Sequence, residues 1–108
     1  MSNDIYTIKS LIEAFTVLDG SELVVSTTGC DGCGGEAGSL VYNEENKKYA
    51  EINMANGTDK AINATEFLAL LIEGEKNGYG DSEVSMEGCD CYVDVTEITI
   101  LDNEIMLT

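Results

Sequence analysis

The chain contains no histidine, no arginine and no proline. Without histidine the usual general base is missing, and so are the Ser-His and Cys-His pairs that activate a nucleophile. Positive charge is scarce altogether: five lysines face twenty-one acidic residues, for a formal net charge of −16. Such a field repels nucleic-acid phosphate and anionic lipid, which makes both poor partners, and it attracts basic surfaces. No apolar run reaches the roughly 18 residues that a membrane-spanning helix needs. Met1-Ser2-Asn3-Asp4 lacks the cationic start and apolar stretch of a secretory signal. The location this implies is the cytosol, where thiols stay reduced. The lack of proline is compatible with the architecture below and adds nothing to it.

What is present is a phrase written twice. Val25-Ser26-Thr27-Thr28-Gly29-Cys30-Asp31 recurs as Val84-Ser85-Met86-Glu87-Gly88-Cys89-Asp90, with five of seven positions identical. A further cysteine follows each time, Cys33 and then Cys91. At 108 residues, 44% of them hydrophobic, the chain is long enough for one compact domain or two fused halves. A chain of this size buries roughly 60–70% of the surface it exposes when unfolded, enough for a core without staples.

Ile5, Ile8, Leu11, Ile12, Phe15 and Leu18 recur at helical spacing. Asn3, Asp4 or Thr7 is the candidate cap, and Asp19-Gly20 the stop. Leu23 to Ser26 reads as a strand, and Gly29 to Gly38 as a glycine-rich loop. Leu40-Val41-Tyr42 and Tyr49 to Met54 flank a hairpin turn beginning Asn43-Glu44-Glu45-Asn46. A second helix follows, capped by Asn63 or Thr65, carrying Phe67, Leu68, Leu70, Leu71 and Ile72, and ended by Asn77-Gly78 and Gly80. Val84 and Met86 alternate with polar residues as in a half-buried strand. Val93, Val95, Ile98 and Ile100 continue the alternation imperfectly, Asp102-Asn103 turns, and Ile105 and Leu107 close the chain. The expected fold class is α+β, with two tandem pseudo-symmetric units, each a helix plus three antiparallel strands (αβββ–αβββ). The first unit covers 1–54, a junction 55–62, and the second unit 63–108, within one compact domain. Such a thin unit has a marginal core, so the two are expected to pair helices or extend sheets.

The second unit resembles a loose family of small uncharacterised proteins of phages and mobile elements. The resemblance rests on Glu66-Phe67-Leu68 through Gly80-Asp81-Ser82-Glu83-Val84, then Gly88-Cys89-Asp90-Cys91 and Asp94-Val95-Thr96-Glu97-Ile98. It covers most of residues 65–108 and, more weakly, 5–54, where the Asp-Val-Thr-x-Ile element is missing. It implies a phage-encoded accessory protein acting in the host cytoplasm, with no activity to transfer.

Enzymatic chemistry is not expected. Twenty-one carboxylates without positional logic single out no acid or base. Cys30 and Cys89 each adjoin an aspartate, Asp31 and Asp90, which raises a thiol pKa rather than activating it. Gly29-Cys30-Asp31-Gly32-Cys33-Gly34-Gly35 has no lysine and places a carboxylate where a phosphate would sit. Cys30-x-x-Cys33 and Cys89-x-Cys91 together offer four thiolates, and C-x₂-C is a standard zinc half-site. A zinc centre held by all four cysteines is therefore the alternative to an expectation of no cofactor, and a redox-labile pair is the lesser one. Tight turns explain Gly29-Cys30-Asp31-Gly32 and Gly88-Cys89-Asp90 equally well. An EF-hand is unsupported.

Charge gives the functional expectation. From Asp81 to Glu104 the chain carries eight acids and no lysine. Glu83, Glu87, Asp94, Asp102 and Glu104 are the candidate partner-binding residues. Residues two apart on a strand point to one face, about 6.6–6.8 Å apart, so Glu83 with Glu87 and Asp102 with Glu104 would form rows resembling phosphates. The expected role is a non-enzymatic protein that binds, and inhibits, a basic nucleic-acid-binding host or defence protein by anti-CRISPR-like mimicry. A zinc-stabilised structural or adaptor module is the alternative. A sponge for a small ligand held between the cysteine loops is a third.

Overall fold

The structure, a computed structural model, describes residues 5–18, 20–28, 34–45, 47–55, 60–87 and 92–108. The two amphipathic stretches form α1 (Ile8–Thr16) and α2 (Ala64–Lys76). Each opens with a reciprocal capping box. Thr7 Oγ1 accepts from the Ser10 N–H (3.2 Å), and Ser10 Oγ accepts from the Thr7 N–H (2.8 Å). In α2, Asn63 Oδ1 accepts from the Glu66 N–H (2.8 Å) and Glu66 Oε1 from the Asn63 N–H (3.1 Å). These bonds satisfy helix-start donors that would otherwise lack a partner. Thr65, the other candidate cap, instead donates its hydroxyl to the Ser21 carbonyl. Gly78, at φ +95°, lets the chain turn away after α2. The helices pack on each other through Phe15 and Phe67, whose ring centroids lie 5.0 Å apart at 60°.

Among the described residues, seven strands form a four-stranded and a three-stranded sheet. The first has the order β2 (Ala37–Tyr42), β3 (Tyr49–Met54), β4 (Glu83–Glu87), β5 (Tyr92–Asp94). The second has the order β1 (Val24–Thr27), β7 (Glu104–Leu107), β6 (Ile98–Ile100). The turns dictate the β2–β3 and β6–β7 hairpins, with Leu40 opposite Ile52 and Ile98 opposite Leu107. The remaining pairings cross the chain. β3 runs parallel to β4, Ala50 beside Val84, and β7 runs parallel to β1, Ile105 beside Val25. Both valines of the doubled phrase are fully buried.

The two sheets meet along two seams. At one, Ser26 bridges Glu36 in antiparallel sense, and the Thr27 N–H donates to Gly35 O (2.8 Å). At the other, the chain passes directly from β5 into β6. One core lies inside, drawing Leu11, Phe15, Ile52, Phe67, Met86 and Ile105 from both helices and both sheets. Burying side chains of this size contributes roughly 1.5–3 kcal/mol each.

Strand direction fixes the two ends of the molecule. β1 is antiparallel to β2, β2 to β3, and β3 is parallel to β4, so β1 and β4 run the same way. Thr28 and Glu87 therefore stand at one end. At the other, the helix caps bridge the strand starts, Thr7 to Glu83 and Asn63 to Val24.

Two expectations are corrected here. The sheets are not three-stranded antiparallel units: each takes strands from both halves of the chain and contains a parallel pair. The second half also has four strands, because the Val93–Ile100 alternation breaks into β5 and β6. The break has a local cause. Val95 O accepts from the Tyr6 N–H (2.8 Å), while the Thr96 and Glu97 N–H groups both turn to Thr108 O (2.8 and 2.9 Å).

Candidate functional site

The outer face of the four-stranded sheet is assembled by alternation. Ala50, Ile52, Val84 and Met86 point into the core, so Tyr49, Glu51, Glu83, Ser85 and Glu87 point out. Ser85 is the hub. It lies beside Glu51 in the β3–β4 pairing and opposite Asp94 in the β4–β5 pairing. With strands about 4.8 Å apart, Glu51 and Asp94 flank it in a row about 10 Å across. Glu87 sits one step along the face, opposite Tyr92.

Each acid has a distinct setting. Glu87 is half-buried, and its Oε1 accepts the Met54 N–H (3.0 Å), tying β4 to the end of β3. Glu51 attracts the Tyr92 phenol from across the sheet. The charge on Glu51, then lost hydration, then Glu87 and a hydrogen bond to Glu51, push the Tyr92 pKa upward. Tyr92 therefore keeps its proton and acts as a donor among carboxylates. Glu83 lies at the lysine-bearing end, where its N–H donates to Lys48 O (2.8 Å) and a cavity of about 230 Å³ is lined by Lys47, Lys48, Tyr49 and Asp81 as well. The acid centre of the face is thus Glu51, Glu87 and Asp94. Tyr49, Tyr92 and Val41 stand beside it, each about half exposed (50%, 54% and 47%). Exposed tyrosines next to charge suit protein recognition, since they bring contact area and a polar tip together.

Of the five sequence-based candidates, Glu83, Glu87 and Asp94 share this face. Asp102 and Glu104 do not: they belong to the β6–β7 hairpin of the other sheet, and Asp102 lies in the turn, so the two do not form a strand row. Glu83 and Glu87 are four residues apart, about 13 Å along the strand, too far for a phosphate-like row by themselves. Glu51 fills that gap and was missed. The signal was available in Tyr49-Ala50-Glu51-Ile52, whose alternation turns Glu51 outward, but its placement beside Ser85 needs the parallel β3–β4 register.

Cys30, Cys33, Cys89 and Cys91 lie outside the described residues, as do Asp31 and Asp90. Among the described residues, no three acidic or thiol side chains gather as a metal site, and no helix is long and apolar enough to cross a membrane. Compared with protein-family profiles, curated proteins and solved structures, the chain finds no match.

Proposed function

We propose that the protein is a non-enzymatic, phage-type accessory protein that docks on a basic, nucleic-acid-binding host or defence protein and inhibits it. The contact face would be the outer side of the four-stranded sheet, with Glu51, Glu87 and Asp94 at its centre and Tyr49 and Tyr92 as anchors. The observation that carries this reading is the concentration of acid and tyrosine on one sheet face of a chain with net charge −16.

The reading includes a duplicated unit of a helix and strands, in which the broken β5–β6 stretch takes the place of β2, and the strand registers support that duplication. The Ser26–Glu36 bridge corresponds to the Ser85–Asp94 pair, and Val25 beside Ile105 corresponds to Val84 beside Ala50. Ile62 N–H donates to Ala37 O as Tyr6 N–H donates to Val95 O. On this correspondence the two outer faces have diverged. Ser85 is flanked by Glu51 and Asp94, Ser26 by Met106 and Glu36, and Val24 stands where β4 has Glu83. Acid stands on both faces, with Glu36 and Glu104 on the three-stranded side, while the exposed tyrosines Tyr49 and Tyr92 belong to the four-stranded sheet.

The experiment is affinity capture from host-cell lysate, in parallel for the wild type, a Glu51→Lys/Asp94→Lys variant, and a Glu13→Lys/Glu22→Lys variant with the same net charge. A basic nucleic-acid-binding protein should be retained by the wild type at low salt and released at about 0.5 M salt, where the screening length falls to a few ångströms. Reversal of the face should slow association by about tenfold or more, and the distant control should change it far less. Equal loss in both variants would leave only net charge; no loss in either would remove the face from consideration.

One observation favours a second reading, the zinc module held by four cysteines. Thr28 and Glu87, the last described residues before the two cysteine-bearing segments, stand at the same end of the molecule, as the common direction of β1 and β4 requires. The described residues that flank each segment stand together: Gly34 N–H donates to Thr28 O (2.8 Å), and Tyr92 lies opposite Glu87. On this reading the purified protein contains about one zinc per chain, and chelation lowers its melting temperature. Metal-free protein with unchanged melting in chelator would sink it.

A further inference from the structure

β2 has an open edge beside α2. The Asn43 N–H donates to Tyr49 O (3.1 Å), which sets the alternation of the hairpin. Val41 exchanges its backbone bonds with Glu51, so Leu40 and Tyr42 direct their N–H and C=O groups to the opposite side. Among the described residues, none reaches the main chain of Leu40 there. Between this edge and α2 runs a groove of about 470 Å³, lined by Gly38, Leu40, Ile62, Ala69 and Leu70, with Lys60 and Glu66 on its rim. That volume lies in the range of small-ligand and peptide sites.

The groove has defined ends and a clear track. Tyr42 closes one end by donating its phenol to Leu70 O (2.8 Å). Gly38 sits where the β2–β3 register shifts, and a Cβ there would lie 2.6 Å from Ala55 Cα, so the backbones meet without a side chain between them. Leu40, Ala69 and Leu70 supply a shallow apolar floor. The N–H and C=O groups of Leu40 and Tyr42 alternate along this edge as far as Ala37 O, which the Ile62 N–H already occupies (2.8 Å), and such groups are matched by another short extended backbone. Charge selects further. Lys60 is one of five cations in a chain with twenty-one acids, and it stands at this rim. Among the described residues that line it, Glu66 is the only acid, and one of its oxygens is engaged by the Asn63 N–H.

We propose that this groove binds an extended peptide of a partner protein, which adds as a strand to the free edge of β2 with a carboxylate facing Lys60. The site is separate from the acidic face and does not depend on it. A small apolar side chain of the peptide rests on Leu40, Ala69 and Leu70, while the alternate side chains face solvent.

The test uses the full chain, ¹⁵N-labelled, and synthetic hexapeptides of alternating valine and threonine ending in aspartate. Addition up to several millimolar should shift the amide signals of Gly38, Leu40, Tyr42, Ala69 and Leu70. The groove at the start of α1, lined by Ile5, Tyr6, Thr7, Ser10 and Thr96 with no lysine, should stay unperturbed. A lysine in place of the terminal aspartate should weaken binding about fivefold, and N-methylation of the central peptide amides about tenfold. Lys60→Glu should abolish the preference for aspartate. Glu66→Gln, which keeps the acceptor for Asn63, should strengthen binding about twofold. An absence of shifts, or shifts indifferent to N-methylation and to charge, would overturn the proposal. So would concentration-dependent shifts at the same residues without peptide, since a second copy of the chain would then be the occupant.

Discussion

Replacing Gly74 by alanine is expected to destabilise the protein by about 2–3 kcal/mol, although the same change in an open helix stabilises by roughly 1 kcal/mol. Gly74 lies inside α2 and is buried. A Cβ there would overlap Tyr42 at its hydroxyl oxygen and Cζ, and would come within 2.6 Å of Cε1. The ring has little room to yield. It stacks on Tyr79 with centroids 4.7 Å apart and planes 27° apart, and its phenol donates to Leu70 O (2.8 Å). Burial, and then the charge on Glu73, push the Tyr42 pKa up to about 12, so the phenol remains a donor at any ordinary pH. Urea unfolding is the measurement. In a Tyr42→Ala background the obstacle is gone, and Gly74→Ala should become neutral or stabilising. The coupling between the two sites should then be about 3 kcal/mol. A single Gly74→Ala variant more stable than wild type would contradict this packing.

Gly74 illustrates what was illegible in the sequence. The stripe from Phe67 to Ile72 and the Asn63-x-x-Glu66 box define α2 from local chemistry alone, and a glycine within it reads as a weak point. Its reason, a tyrosine ring from β2 filling the missing side chain, is a contact across 32 residues of chain. The strands divide in the same way. Leu40–Tyr42 and Tyr49–Met54 flank a polar turn, and Ile98–Ile100 and Ile105–Leu107 flank Asp102-Asn103, so both hairpins were readable. The parallel pairs β1–β7 and β3–β4 have no local signature, because parallel neighbours are joined by long connections. Three adjacent antiparallel strands per unit was the default, and the registers replaced it with strands shared between the halves.

The candidate face follows the same division. Outward placement of Glu83, Glu87 and Asp94 was visible in their alternation with Val84, Met86 and Val93. Which acids gather was not, since that depends on which strand lies alongside. The pairing brought in Glu51 and Tyr92 and left Asp102 and Glu104 on the other sheet. A run of eight acids is contiguous in sequence only; on a sheet, neighbours come from register.

Strand sharing also governs how the molecule holds together. Residues 1–55 and 60–108, produced as separate chains, are each expected to be unfolded alone and to fold on mixing at tens of micromolar. Apart, the first piece loses both parallel contacts, β1 from β7 and β3 from β4, and Phe15 loses Phe67. The second piece loses the same contacts from its own side. What remains in each is one helix on a few short strands, a size at which a core is marginal. On mixing, the parallel pairs and the helix contact re-form as an interface made of the original core, so dispersed amide signals and a cooperative melt should return. Cooperative unfolding by either piece alone would show that the units are self-contained domains, and the exchange of strands between them would then be incidental to stability.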